Sequence, residues 1–157
     1  MIENVTFDEI AVGQRASYTK TVTERDIQLF AVISGDVNPV HLDEEYASTT
    51  PFEGRIAHGM ITGALVSAAL GMKLPGPGTI YLGQDLSFRK PVKIGDVLTV
   101  NLEVKEKRDD KRFVTIACEV ENQRGETVAL GDALVLAPSE KIRFEAPPLP
   151  EVVVRAG

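Results

Sequence analysis

Two histidines and a few carboxylates in the first half of the chain have the types and spacing for proton chemistry. His41 follows Asp36 by five positions in "SGDVNPVHLD", with Asn38 and Pro39 between them. On an uninterrupted helix, side chains five apart diverge by about 140°. Gly35 is a natural helix stop, and Pro39 lacks an amide donor and pushes Asn38 toward extended geometry. The two side chains are therefore free to converge. A carboxylate beside an imidazole can hold a water and shuttle its proton, a contribution of roughly 10²–10⁴-fold in rate. Spacing alone leaves a second reading open, in which Asp36 caps a turn and His41 packs in the loop, since Asp-x-Asn-Pro is good turn chemistry.

The second histidine lies in "AHGMITG", where Gly59 opens an apolar helix. An amide at a helix N-terminus sits in partial positive charge, and an acyl carbonyl placed there would be polarised. Where negative charge grows on that oxygen, one such donor is worth roughly 3–4 kcal/mol. The plainer alternative is that Gly59 permits tight packing. His58 reads as a capping or packing residue. No metal is expected: His41 and His58 are seventeen apart, and no zinc motif includes them with Asp43, Glu44 or Glu45. The chain has no Gly-x-Ser-x-Gly turn, phosphate loop or dinucleotide glycine pattern. Ser67 lies within the apolar helix, where most serines bond their own backbone. Cys118 alternates with Val114, Ile116 and Val120, the pattern of a packed thiol.

The elements that must position these groups follow from periodicity. "TERDIQLFAVISG" reads as a helix capped by Thr23, with Glu24 and Asp26 in its first turn and Ile27, Phe30, Ala31 and Ser34 along one face. "DEEYAS" predicts one short helical turn. From His58 to about Met72 small and apolar residues occur on nearly every side, which predicts a helix buried all round. The period then changes to two. "DVLTVNLEVKEK" and "RFVTIACEVEN" alternate, with "RDDKR" as the hairpin turn between them. "ETVALGDALVLAP" is apolar on both faces, as a central strand would be. "TIYLGQDLSFRKPV" and "GQRASYTKTV" supply further strand candidates. The whole reads as an α+β chain with a largely antiparallel sheet enclosing one helix.

The 157 residues suit one domain. A net charge of -6 lacks the basic footprint of a nucleic-acid binder. A single cysteine excludes an internal disulfide and fits a reducing compartment. "MIENVTFDEI" shows no secretory pattern, and "MITGALVSAALGM" falls short of the roughly 20 residues that span a bilayer, so neither export nor membrane insertion is expected and a cytoplasmic location is the default. The proline-containing end, residues 139–157, reads as a peripheral arm or as a linker in a longer parent protein with a second domain.

"SGDVNPVHLD", "TTPFEGRIAHGMITGALVSAALG" and "GTIYLGQDLSFRKPVKIGD" together resemble the MaoC-like family of (R)-specific enoyl-CoA hydratases. The likeness runs from about Phe7 to Pro138, with the Gly-Asp-x-Asn-Pro-x-His block followed at the right distance by His-Gly-Met. It implies a hotdog fold over residues 1–138, a long helix wrapped by a curved antiparallel sheet. It also implies a homodimer or higher oligomer with joined sheets and a thioester tunnel at the subunit junction. Carried over by position, Asp36 and His41 match the family's catalytic pair, and Gly59 the amide that holds the thioester oxygen. Ser67 matches a serine near the acyl pocket, and Asn38 the loop asparagine.

The implied reaction is syn addition of water to a trans-2-enoyl-CoA, giving the (R)-3-hydroxyacyl-CoA with no cofactor, CoA being part of the substrate. Arg89 and Lys90 are candidates for the CoA phosphates, a solvated strand end being the plainer reading, and the segment from Tyr46 to Phe52 is a candidate plug for the acyl tunnel. Alternatives are a hotdog acyl thioesterase, a dehydratase of carrier-protein substrates, and a non-catalytic acyl-CoA-binding or scaffold domain. A scaffold has no need of a proton-transfer pair.

Overall fold

The computed structural model describes residues 1–155. A strand at its N-terminus, β1 (Ile2–Glu3), is followed by β2 (Arg15–Thr21) and then by four helices: α1 (Glu24–Ser34), α2 (Pro39–Leu42), α3 (Glu44–Ser48) and α4 (Met60–Met72). Strands β3 (Ile80–Gln84), β4 (Ser87–Phe88), β5 (Val97–Arg108), β6 (Phe113–Glu121), β7 (Thr127–Leu136) and β8 (Arg143–Phe144) complete the chain. The main sheet runs β2-β5-β6-β7-β3, antiparallel throughout, with β4 also on β7. With α4 against its inner face, this is the hotdog arrangement that the resemblance implies.

Strict alternation explains the inner face. Leu98, Val100, Leu102 and Val104 of β5 are buried, and Val100, Leu102 and Val104 stand opposite Val120, Cys118 and Ile116 of β6. Against them α4 sets Ile61, Leu65, Val66, Ala69 and Leu70, all buried. Each Val, Leu or Ile side chain among them, taken from water, stabilises the fold by about 1.5–3 kcal/mol. Burial pushes the Cys118 thiol up to about 11, so it packs as a small apolar group.

The helices preceding α4 form as their ends dictate. Thr23 and Asp26 make a reciprocal capping box on α1. Gly35 closes α1 in the left-handed conformation, φ 79°, which a side chain would resist. Asn38 then caps α2, whose first residue is Pro39. Pro39, a breaker in the sequence pattern, also starts a helix here: its fixed φ is suited to that position, and a new turn begins there carrying His41. Asp43 caps α3.

One expectation is overturned. α4 is not buried all round: Met60 is 57% exposed, and Ala64, Ser67 and Gly71 are exposed with it. The sheet wraps only the side carrying Ile61, Leu65 and Ala69. The small residues on the opposite stripe floor an open groove.

The end of the chain returns to its beginning. β8 pairs with β1, Arg143 and Lys141 bind Glu3, and Lys141 also binds Glu9. The Asn4 side chain, 1% exposed, donates to the carbonyls of Pro77 and Glu140 and accepts from the Ile142 amide. Asn4→Ala leaves three backbone groups unpaired at once. We expect urea denaturation to show a loss of about 2–4 kcal/mol, since a buried orphan costs about 1–3 kcal/mol and the exposed Glu140 regains water for its carbonyl. A loss below about 0.5 kcal/mol, the scale of neutral surface changes, would show that water replaces these bonds freely.

Candidate active site

Between α3 and α4 the chain runs extended through Arg55, Ile56, Ala57 and His58, and this segment grips the turn that carries Asp36 and His41. The Ile56 amide donates to the Val40 carbonyl at 3.2 Å. The Ile56 carbonyl accepts from His41 Nδ1 at 2.8 Å. Arg55 Nε donates to the His41 carbonyl at 2.7 Å, and His58 Nε2 to the Asp36 carbonyl at 3.0 Å. The segment is anchored behind by Ala57, whose amide donates to Val92, and by the bridge from Ile56 to Lys93. Arg55, whose side chain is 11% exposed, also reaches back to Glu24 on α1 at 2.8 Å.

These bonds set the protonation geometry of His41. A carbonyl only accepts, so Nδ1 carries the proton of the neutral ring and Nε2 presents its lone pair. That Nε2 lies 3.8 Å from Asp36 Oδ2. The other carboxylate oxygen, Oδ1, is held by the Asn38 amide at 3.0 Å, while the Asn38 side chain accepts from Val40. Asn38 therefore keeps the turn in shape. Two acceptors facing each other across 3.8 Å are satisfied by one water donating a proton to each. A water so held turns its own lone pairs outward.

His58 is 3% exposed and stacks on His41, ring centroids 3.8 Å apart and planes 25° apart, with Phe30 on its other flank at 5.0 Å. Its Nδ1 is buried with no hydrogen-bond partner among the described residues, at a cost of about 1–3 kcal/mol. Asp36, His41 and His58 each offer an atom within 4.8 Å of the others. The lone pairs of two stacked rings, however, lie in separate planes about 3.8 Å apart, and one nitrogen of each ring already serves a carbonyl. One ion at about 2.0–2.1 Å from a nitrogen of each ring would not lie in the planes of both, as imidazole ligation to a tetrahedral centre requires.

Gly59 follows His58 and caps α4 without any side-chain capping bond. Its N–H donates to no acceptor among the described residues, which leaves it at the positive end of the helix. A Cβ on Gly59 would meet the Phe88 ring at 3.5 Å. Phe88 and Phe30 begin a mostly apolar groove of about 740 Å³ floored by Met60, Gly63, Ala64 and Ser67 and walled by β3 and Leu86. Ser67 thus faces the groove, not the core. Tyr81 also lines it, and partial burial of its phenol against the groove pushes that group up to about 12, so it stays a neutral donor, to Gln84.

Not every residue singled out in the sequence comes to this place. Lys90 is paired with Glu126 at 2.5 Å, and Arg89 lies on the outer face of the sheet, in a groove shared with Arg15, Asp85, Glu103 and Asp132. Tyr46 and Phe52 are exposed and stand outside the groove lining. His58 and Arg55 are the contributors that spacing did not reveal, because their bonds join residues 22 and 14 positions apart.

Comparison with known proteins agrees with this geometry. A family model described as "MaoC like domain" matches residues 7–126. The (R)-specific enoyl-CoA hydratase of Rhodospirillum rubrum is 47% identical over 135 residues, covering 85% of this chain and 92% of that protein. The 3-hydroxybutyryl-CoA dehydratase of Methylorubrum extorquens is 44% identical over 143 residues, 91% of this chain and 88% of that one. The structure of R-hydratase PhaJ1 from Pseudomonas aeruginosa, unliganded, superposes with a TM-score of 0.94 at 54% identity, covering 98% of both chains. Fold, motif and relatives converge: the chain belongs to the MaoC-like family of (R)-specific enoyl-CoA hydratases.

Proposed function

We propose that this protein adds water reversibly to a trans-2-enoyl-CoA, giving the (R)-3-hydroxyacyl-CoA, with no cofactor beyond the CoA of its substrate. One observation carries the reading: Asp36 Oδ2 and His41 Nε2, 3.8 Å apart and so within reach of one bridging water, are tied by one short segment to an unpartnered N–H at the start of a helix.

The acyl chain lies in the groove over Gly63, Ala64 and Ser67, with its thioester oxygen at the Gly59 N–H. The water between Asp36 and His41 attacks the β-carbon through its outward lone pair. Electrons move through the double bond toward the thioester oxygen, where the Gly59 N–H and the dipole of α4 stabilise the charge. The Asp36–His41 pair takes a proton from the water and returns one to the α-carbon on the same face, acting as one coupled unit. Water is added across the double bond, and the pair ends as it began.

The working form is a homodimer joined through β3. All five residues of that edge strand are exposed, including Ile80, Tyr81 and Leu82. An uncovered apolar edge invites pairing with another copy. Joining two copies there would roof the groove into a tunnel, with the phosphates of CoA outside its mouth.

Two tests follow. Asp36→Asn and His41→Ala should each lower kcat for crotonyl-CoA, followed by loss of its ultraviolet absorbance, by about 10²–10⁴-fold. Parental rates in both variants would rule the pair out. Gly59→Pro removes the amide proton while φ, −53°, already suits proline at a helix start. Its kcat should fall by about 10²–10³-fold with the circular-dichroism spectrum retained; an undiminished kcat would remove this amide from the mechanism.

A further inference from the structure

Among the described residues, His58 is the buried polar side chain that touches both Asp36 and His41 and that the proposed reaction does not itself use. It is 3% exposed, and a phenyl or branched aliphatic group would pack in its place without a nitrogen to satisfy. What the imidazole brings is the Nε2–H, 3.0 Å from the Asp36 carbonyl. That bond fixes the tautomer and leaves Nδ1 as the unpartnered atom. The Asp36 turn needs such a tie, because every residue from Glu24's helix end at Ser34 through Pro39 is exposed. Ser34 Oγ accepts from the Asp36 amide, a bond within the turn itself. The bond to His58 links the turn to the buried segment that leads into α4.

The same ring lies flat against His41, centroids 3.8 Å apart, and is itself backed by Phe30. One side chain thus touches both proton-transfer residues, the backbone of Asp36 by hydrogen bond and the ring of His41 by its face. We infer that His58 is the positioning residue of the site: it holds Asp36 Oδ2 and His41 Nε2 on a single water without exchanging a proton itself. The inference rests on the hydratase reading. Nε2 is committed to a carbonyl that cannot react, and the ring presents its face to His41, so His58 acts through its neighbours. Displacement of a positioned group by about 1 Å can cost about 10²-fold in rate, which sets the size of the effect.

The test pairs two substitutions of similar volume. His58→Leu removes the donor, whereas His58→Gln keeps an amide N–H within reach of the Asp36 carbonyl. With crotonyl-CoA, His58→Leu should lower kcat by about 10–100-fold with KM changed by less than about threefold, and His58→Gln should regain at least about tenfold of that loss. In a His41→Ala background, His58→Leu should cost no more than about twofold further, since the pair it positions is already broken. A merely structural role predicts otherwise: Leu and Gln equally slow, or the full loss repeated in the His41→Ala background, and either result overturns the inference. So does parental kcat in His58→Leu.

Imidazole nitrogen-15 chemical shifts of the parent give an arm that needs neither activity nor a folded variant. His58 should show the Nε2–H tautomer, and the Nδ1–H tautomer would refute the bond on which the inference stands. A parent that binds crotonyl-CoA but never hydrates it removes the proposed reaction and the kinetic arm with it, leaving the tautomer to decide the bond.

Discussion

Pairing between one extended segment and one irregular turn fixes the distance between the groups that could react. The turn from Gly35 to Asp43 contains a single helical turn and belongs to no sheet, so its place depends on the bonds of Arg55, Ile56 and His58. Those same residues run directly into Gly59. Asp36, His41 and the Gly59 N–H are therefore positioned by neighbouring residues of one segment, and a shift in one is transmitted to the others. In the proposed reaction this supplies the preorganisation that electrostatic catalysis requires, with dipoles set before charge develops.

Sheet and helix supply the remaining constraints. The curved sheet buries Ile61, Leu65 and Ala69 of α4 and thereby turns Gly63, Ala64 and Ser67 outward. Small residues on that stripe leave room for an extended apolar chain against the helix, starting beside the free amide. No side chain of the first turn reaches back to the Gly59 amide, since Thr62 Oγ1 donates to the Gly59 carbonyl instead, and the N–H is left available. Stability is recovered elsewhere, in the interlocked β5–β6 core and in the return of the C-terminal arm to Asn4 and Glu3.

Much of this was legible in the sequence because its causes are local. Thr23, Asp26 and Gly35 mark both ends of α1, and the alternation from Leu98 to Val104 gives a strand with one buried face. Gly35 and Asn38-Pro39 permit Asp36 and His41 to converge, although only tertiary pairing makes them do so. What stayed hidden is long-range. The exposed stripe of α4 depends on how far the sheet curves, which composition does not encode. Lys90 is occupied by Glu126, 36 positions away. The donor role of His58 depends on a carbonyl 22 residues back in the chain, and a lone histidine in an apolar context carries no mark of it.

A single pair that both removes and delivers the proton must work from one face of the double bond. Hydration of crotonyl-CoA in deuterium oxide, with the product's configuration at both carbons read by nuclear magnetic resonance, tests this most directly. The account predicts one deuterium at the α-carbon, on the same face as the new hydroxyl. Deuterium on the opposite face, or on both faces equally, would require a second proton donor and would contradict it.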